Sequence, residues 1–217
     1  EWFFKTGKGE YGYGDIFLGV TAPDLRRIAK KFSQEISLQE LTELIRSPIH
    51  EVRLCALIIL VNKYQKEDSD KIYQYYLKHL NSVNNWDLVD TSAPHIVGDY
   101  LNKNPEKSKI LLEFSRSENL WIRRISIVST LAFIKNNEFN KTLEIAKLLL
   151  NDDHDLIHKA VGWMLREIYK RDEVLIKRFL RQNYAQIPRT TLRYAIERMD
   201  KEERLLYLKG NFDVSQR

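Results

Sequence analysis

The chain has 217 residues, of which 43% are hydrophobic and 30% are charged, so wholesale disorder is excluded. Its net charge of +5 is compatible with a nucleic-acid partner, and its single cysteine, Cys55, excludes a disulfide framework and a multi-thiolate zinc site. No apolar run approaches the roughly 20 residues of a membrane span and no signal-peptide pattern is present, so we expect a cytoplasmic protein without a membrane partner.

A glycine-rich segment over residues 5–15 precedes the first predicted helix, which starts at Pro23. It contains the sequence GKGEYG at residues 7–12, which matches the GxGxxG pattern of dinucleotide-binding folds. That pattern requires a preceding strand and a helix that opens at the third glycine, and neither is present. We therefore interpret the segment as a turn-rich loop, whose lysines could still touch phosphates.

Further along the chain, apolar residues recur at helical spacing, as in the segments around residues 72–80 and 122–132. Sustained alternation of apolar and polar residues is lacking, so we predict an all-α protein. Ser37 and Glu40 have the spacing of a capping box, in which each side chain bonds the backbone of the other. The predicted N-cap residues of four helices are Ser37, Asp68, Asn85 and Asp153.

The helix starts recur every 35 residues. Equivalent positions, each 35 apart, are Ser47, Ser82, Ser117 and Asp152. In an all-helical chain, this period predicts helix pairs stacked into an α-α superhelix, which we expect to form a single domain over residues 1–217. Proteins of this kind usually bind their partners on the concave surface.

The same period identifies side chains that share this surface. Lys159, Trp163 and Arg166 have the i, i+4, i+7 spacing of one helix face, and Arg124 lies one period before Lys159. Within one residue of the repeat register, the side chains that project the same way are Trp86, Asp90, Arg124, Lys159, Trp163 and Arg166. We predict a groove with two indoles, several cations and one carboxylate.

Each member of this set also has a structural interpretation. Trp163 fits core packing, and Trp86 fits a hydrophobic contact at a helix start. Asp90 or Asp87 fits a first-turn carboxylate favoured by the helix dipole. Pro94, four residues after Asp90, removes the N–H that would bond the Asp90 carbonyl, so we expect a bend or break there unless Ser92 caps a new helix. A carboxylate opposes phosphate binding, whereas between two indoles it is suited to stabilise a cation.

A second pair of side chains, His154 and His158, has the i, i+4 spacing of a metalloprotease site. The residue after His154 is Asp155 where that motif has glutamate, and the sequence offers no third ligand. We interpret both as surface histidines and predict no metal site.

Three stretches resemble the DNA alkylation repair family of AlkD-like glycosylases. They are NWDLVD at residues 85–90, NLWIRR at 119–124 and KAVGWMLRE at 159–167. The segments FFKTG at 3–7 and FLGV at 17–20 are similar to the N-terminal region of that family, except that Phe3 stands where relatives often have tyrosine. The family's first helix is missing from the sequence, so we expect an incomplete first repeat.

This resemblance implies HEAT-like repeats and the excision of positively charged bases, such as 7-methylguanine and 3-methyladenine, from double-stranded DNA with the lesion still stacked. It implies that Trp86 and Trp163 are the groove tryptophans, Asp90 the catalytic carboxylate and Arg124 a contact to the DNA backbone. Lys159, Arg166 and Arg123 are further candidates for phosphate contacts.

The chemistry of this reaction calls for no metal or organic cofactor, and we expect a monomer. Two other classes of function remain open for the same groove. One is a DNA-binding protein without enzymatic activity, and the other is a protein-interaction scaffold, a common use of helical repeats.

Overall fold

The computed structural model describes residues 4–211, and over these residues it confirms an all-helical fold. Within them, strand-type pairing is limited to an isolated bridge between Ile16 and Ile49. Phe3 lies outside the described residues. The chain divides into two units, Glu1–Tyr100 and Leu101–Arg217, so the single domain over residues 1–217 stays a prediction.

The first unit is built around α3, which packs against α1, α2, α4 and α5. Its helices are α1 (Ala22–Phe32), α2 (Leu38–Ile45), α3 (His50–Tyr64), α4 (Ser69–Lys78) and α5 (Trp86–Ser92), with a 3-10 turn at Leu80–Ser82 and a π-helix at Pro94–Gly98. Both faces of α3 contribute to the core, since its side chains from Ala56 to Leu60 are all buried. A further short helix, α6 (Asp99–Lys103), follows the π-helix.

In the second unit the central helix is α11, which packs against α8, α10, α12 and α13. The helices are α7 (Ile110–Phe114), α8 (Leu120–Ser129), α9 (Leu131–Lys135), α10 (Asn140–Leu149), α11 (Asp155–Tyr169), α12 (Glu173–Asn183), α13 (Arg189–Ala195) and α14 (Lys201–Lys209), with 3-10 turns at Pro105–Lys107 and Tyr184–Gln186. Ala160, Val161, Met164 and Leu165 bury one side of α11 completely.

Helix pairs recur as the 35-residue period predicts. The second helix of successive pairs begins at His50, Trp86, Leu120, Asp155 and Arg189, which are intervals of 36, 34, 35 and 34 residues. Within the units, second helices pack on one another, α3 on α5 in the first and α11 on α8 and α13 in the second. This layering is typical of helical-repeat proteins.

Three of the four predicted N-caps are confirmed. The Ser37 hydroxyl accepts from the Glu40 N–H in a complete capping box, and the side chains of Asp68 and Asn85 cap α4 and α5. The prediction for Asp153 is wrong, because α11 begins at Asp155 and His154 caps it through Nδ1. The turn before α11 therefore ends one residue later than predicted, because the Asp152 carboxylate accepts the His154 N–H at 2.9 Å.

The glycine-rich segment over residues 5–15 is a series of turns, as predicted. Gly14 has a φ of +89°, a conformation that other residues rarely adopt, and a Cβ at Gly12 would lie 2.9 Å from the Lys5 carbonyl oxygen. The first helix starts at Ala22 with Pro23 in its first turn and the Thr21 hydroxyl as its cap. None of the described helices has the length and hydrophobicity needed to span a bilayer.

Candidate functional site

Trp86 and Asp90 lie one turn apart on α5, and Pro94 determines where this helix ends. The α-helix stops at Ser92, and the π-helix that follows from Pro94 is closed by a 2.8 Å bond from the Gly98 N–H to the Ala93 carbonyl. The bend or break was expected at Asp90, whereas the structure keeps Ala93 in helical φ and ψ angles and changes from α-type to π-type bonding after Ser92. Ser92 caps no new helix, because its hydroxyl donates to the Leu88 carbonyl within α5.

The start of α5 is held by a network of charged side chains centred on His50. His50 Nε2 lies 2.7 Å from the Asp87 carboxylate, and Nδ1 lies 3.4 Å from that of Asp15. The guanidinium of Arg53 donates to Asp15 at 2.6 Å, and the Asn85 amide donates to it at 3.4 Å. Because a carboxylate only accepts hydrogen bonds, both ring nitrogens of His50 carry a proton, and the ring is an imidazolium.

This network changes the titration of both central groups. Burial alone would lower the pKa of His50, but the hydrogen bonds to Asp15 and Asp87 outweigh it and raise the pKa to about 9. Burial would raise the pKa of Asp15, yet the hydrogen bond to His50 and the charge of Arg53 lower it below its ordinary value. At neutral pH the network therefore contains two cations, His50 and Arg53, between carboxylates.

Aromatic rings cover the imidazolium and reach Trp86. Phe4 and Phe17 stack with centroids 4.8 Å apart, and each lies 4.8 Å from the His50 ring. Phe4 also stacks on the Trp86 indole at 5.5 Å, with an angle of 28° between the ring planes. Phe4 thus backs one face of Trp86, which remains half-exposed, so the indole is fixed without being buried in the core.

Asp90 is half-buried and lines a cavity of about 570 Å³ in the first unit. Ile58 and Val61 of α3 give the cavity an apolar part. Basic side chains from α1, from the residues after α3 and from the π-helix also line it, namely Arg26, Lys30, Lys66 and His95. A ligand in this cavity meets one carboxylate and several basic side chains, so the cavity suits a ligand that carries both negative and positive charge.

In the second unit, Arg124 and Arg123 lie on α8. Arg124 is buried, with 5% of its surface exposed, and its guanidinium donates to the Leu156 carbonyl. Arg123 donates from Nε to Asp152 at 2.6 Å and from Nη1 to the carbonyls of Ser117 and Glu118. The guanidinium of Arg123 therefore stabilises the loop before α8.

The other three predicted residues, Lys159, Trp163 and Arg166, share one side of α11 and are all half-exposed. Lys159 Nζ lies 2.7 Å from the Asp155 carboxylate, and the Arg166 guanidinium pairs with Glu197. The Trp163 Nε1–H donates to the Glu167 carboxylate at 3.2 Å. Trp163 is therefore not a core residue, and each cation on this face has a carboxylate partner.

The close packing of α13 on α11 explains why the motif has a glycine, Gly162, beside the tryptophan. A Cβ at this position would lie 2.5 Å from the Tyr194 Cβ and 2.6 Å from the Thr191 carbonyl oxygen, both on α13. The glycine thus lets α11 and α13 approach closely, while Trp163 points away from the fully buried side of α11.

Each unit therefore brings part of the predicted site together. Trp86 and Asp90 are neighbours in the first unit, and Lys159, Trp163 and Arg166 are neighbours in the second. The common groove formed by the two sets stays a prediction, as do the catalytic and DNA-binding roles of its members.

Reasoning from the sequence did not identify the network at His50 or the basic side chains of the cavity. A signal for the network existed, since Asp15, His50 and Asn85 are each 35 residues apart, one period of the repeat. The cavity residues Arg26 and Lys30 carry no such signal, because helix α1 precedes the regular pairs.

The helical pair His154 and His158 has a structural role. His154 caps α11, and His158 Nε2 bonds the Asp152 carbonyl. Across residues 4–211, no group of three histidine, cysteine or acidic side chains is arranged to hold a metal ion.

A family model described as "DNA alkylation repair enzyme" matches residues 1–199. No curated protein matches the chain.

Solved structures give a consistent comparison. A predicted DNA alkylation repair enzyme from Enterococcus faecalis aligns with a TM-score of 0.73 and 17% identity, over 88% of this chain and 92% of that one. AlkD2 from Streptococcus mutans aligns with a TM-score of 0.62 and 18% identity, over 84% and 92%. The protein smu.31 from Streptococcus mutans UA159 aligns with a TM-score of 0.61 and 19% identity, over 82% and 92%. At these identities the likeness shows a shared fold.

Proposed function

Because the chain belongs to the DNA alkylation repair enzyme family, we propose that it is a DNA glycosylase that hydrolyses the N-glycosidic bond of cationic alkylated purines. Its substrates are 7-methylguanine and 3-methyladenine in double-stranded DNA. The lesion stays stacked in the duplex during the reaction, as in the family that the sequence resembles. The protein acts in the cytoplasm as a monomer.

The substrate supplies much of the driving force. Alkylation at N7 or N3 makes the base cationic, so it leaves as a neutral molecule when the bond to C1′ breaks, and no general acid is needed. Positive charge develops on the deoxyribose as this bond stretches. Water then bonds to C1′ and loses a proton, which leaves an abasic site. Catalysis therefore requires a negative group near the sugar, and no cofactor takes part.

Asp90 is the group that we assign to this task, and its position on the wall of the 570 Å³ cavity is the observation that carries the proposal. The carboxylate stabilises the oxocarbenium-like sugar electrostatically and orients or deprotonates the attacking water. Half-burial strengthens this interaction, because the dielectric constant near a protein surface is lower than in bulk water.

The two tryptophans contribute indole faces. A cation over an indole gains about 1 kcal/mol or more when desolvated, so Trp86 and Trp163 favour the charged sugar over the neutral ground state. The stack of Trp86 on Phe4 supports this role, since a fixed ring loses little freedom when substrate binds.

Arg124, Lys159 and Arg166 bind phosphates that flank the lesion, with Arg123 as a weaker contact. Lys159 and Arg166 exchange their carboxylate partners Asp155 and Glu197 for phosphate oxygens when DNA binds. Arg123 is the weaker contact because several of its N–H groups already bond the loop before α8. Arg124 is buried and donates to the Leu156 carbonyl, so its phosphate contact requires its remaining N–H groups or the exchange of that bond.

The direct test is to incubate the purified protein with a duplex that carries 7-methylguanine and to measure free base by mass spectrometry. We expect free 7-methylguanine and an equal amount of abasic sites, whereas an undamaged duplex releases no base. Binding of the duplex without base release would indicate the non-enzymatic DNA-binding protein. Absence of salt-dependent DNA binding would indicate the protein scaffold.

A further inference from the structure

The cavity beside Asp90 carries an excess of positive charge that the proposed chemistry does not use. Arg26 and Lys30 lie one turn apart on α1, and Lys66 follows the end of α3, the helix on which α1 packs. All three side chains are exposed and line the cavity, where Asp90 is the one acidic residue of the lining. We call Arg26, Lys30 and Lys66 the cavity cations.

Within residues 4–211, none of the cavity cations has an ion pair or a side-chain hydrogen bond. Two nearby basic residues differ in this respect. Arg27 on α1 pairs with Asp24 at 2.9 Å, and Lys63 on α3 pairs with Glu67 at 2.8 Å. The cations predicted from the sequence, Lys159 and Arg166, are also paired. Lys31, Lys71 and Lys78, which are exposed elsewhere on the first unit, also have no ion pair among the described residues, so the cavity cations are distinguished by lining one cavity together.

An anionic ligand relieves the mutual repulsion of the cavity cations, and the position of Asp90 indicates which anion. A small free anion in this cavity would lie close to the Asp90 carboxylate and be repelled by it. On a DNA strand the phosphates flank the sugar at a fixed distance, so the cations can hold phosphates while the carboxylate faces the sugar. A DNA strand therefore places negative phosphates at the cations and the sugar, which becomes positively charged during the reaction, at the carboxylate.

We propose that Arg26, Lys30 and Lys66 form a phosphate-contact site for the DNA strand whose lesion-bearing sugar lies against Asp90. The assignment of the sugar rests on the proposed function. The contact between the cavity cations and the DNA backbone is independent of whether the base is excised. Lys30 and Arg26 are about 6 Å apart along the helix axis, so the site follows the strand along α1 and does not enclose a single phosphate.

The test measures binding of an undamaged duplex over a series of salt concentrations. The variant replaces Arg26, Lys30 and Lys66 with glutamine together. The matched control replaces Lys31, Lys71 and Lys78 with glutamine, which removes the same charge from exposed positions of the first unit outside the cavity. Thermal unfolding of each variant checks the fold, which we expect to be unchanged because all six side chains are exposed.

Removing a cation that binds one phosphate makes the slope of log affinity against log salt shallower by about 0.9. We expect the slope of the cavity variant to be shallower than that of the wild type by about 2 to 3, and that of the control variant by less than about 1. An unchanged slope in the cavity variant, or an equal change in the control, would overturn the proposed site.

Base release from a 7-methylguanine duplex by the wild-type protein separates this proposal from the proposed function. If the slope falls as expected but the wild type releases no base, the phosphate contact stands and the glycosylase assignment fails. If the wild type releases base but the cavity variant keeps its slope, the glycosylase stands and the cavity cations do not contact the backbone.

Discussion

At the residue scale, two neighbouring residues on α11 have different roles. Gly162 lies on the side of the helix that packs on α13, and Trp163 lies half-exposed beside the basic side chains. The short motif combines a packing requirement with a candidate functional side chain. The two requirements can be separated by substitution, because they concern different faces of the helix.

We predict that Gly162→Ala lowers the free energy of unfolding by about 1–3 kcal/mol, because the added methyl group would lie 2.5 Å from Tyr194 Cβ. Urea unfolding followed by circular dichroism measures this change. At a helix position with free space, the same substitution would stabilise the protein by up to about 1 kcal/mol. A gain in stability would therefore show that α11 and α13 are not in close contact at this position.

At the scale of elements, one network joins the N-terminal loop to two helices. Asp15 comes from the loop, His50 and Arg53 from the first turn of α3, and Asp87 from the first turn of α5. Glu51 adds to this connection by accepting the N–H groups of Leu18 and Gly19 at 2.9 and 2.7 Å. The loop that carries Phe4 and Phe17 is thereby held against α3, and Phe4 against Trp86.

The raised pKa of His50 predicts how stability depends on pH. Since the pKa is about 9 in the folded protein and about 6.5 in the unfolded chain, the contribution of His50 is fully present below pH 6.5. It declines as the pH rises and is lost above about pH 9. The lowered pKa of Asp15 acts only in acid, as the pH falls below its ordinary value.

We predict that the wild type loses about 2 kcal/mol more of its free energy of unfolding between pH 6 and pH 9.5 than His50→Gln does. The glutamine variant is less stable at pH 6 but lacks the titrating group, so other ionisations cancel in the comparison. Guanidinium unfolding at the two pH values measures the difference. Parallel pH profiles for the two proteins would contradict the imidazolium network.

The elements could be predicted from the sequence where the information is local. Ser37 and Asn85 cap helices because a short polar side chain before an apolar helix bonds the free N–H groups of the first turn. The failure at Asp153 has a tertiary cause, since the neighbouring Asp152 is held by Arg123 from another helix. The partners of His50 were missed because they are distant in the sequence, and of the two only Asp15 lies one repeat period from His50.

At the scale of the whole molecule, the same hydrogen bond from a side chain to a backbone carbonyl recurs in three of the loops between paired helices. Arg53, Arg123 and His158 each bond the backbone carbonyl six residues before them, and these three positions are separated by 70 and 35 residues. In these three repeats the side chain satisfies a carbonyl in the turn before the second helix, whereas the equivalent position in the repeat between those of Arg53 and Arg123 is the apolar Leu88. This explains how the period persists while the repeats share few identical residues.

The period predicted the fold class, but it could not distinguish a structural cation from a ligand-binding one. Arg123 lies in a stretch from which a DNA contact was predicted, but in the structure its guanidinium mainly bonds carbonyl groups of the loop before α8. The cavity cations Arg26 and Lys30 were missed, because their common surroundings arise only when α1 packs on α3. The ion pairs and hydrogen bonds formed within the folded chain determine which basic side chains remain available to bind a ligand.

The central claim, that Asp90 stabilises the sugar as the glycosidic bond breaks, is tested most directly by single-turnover release of 7-methylguanine from a duplex saturated with protein. We predict that Asp90→Asn slows release by about 100-fold or more while the duplex binds equally well or more tightly. Asp153→Asn, which makes the same change at an exposed loop residue, should release base at the wild-type rate. Release by Asp90→Asn at the wild-type rate would contradict the claim.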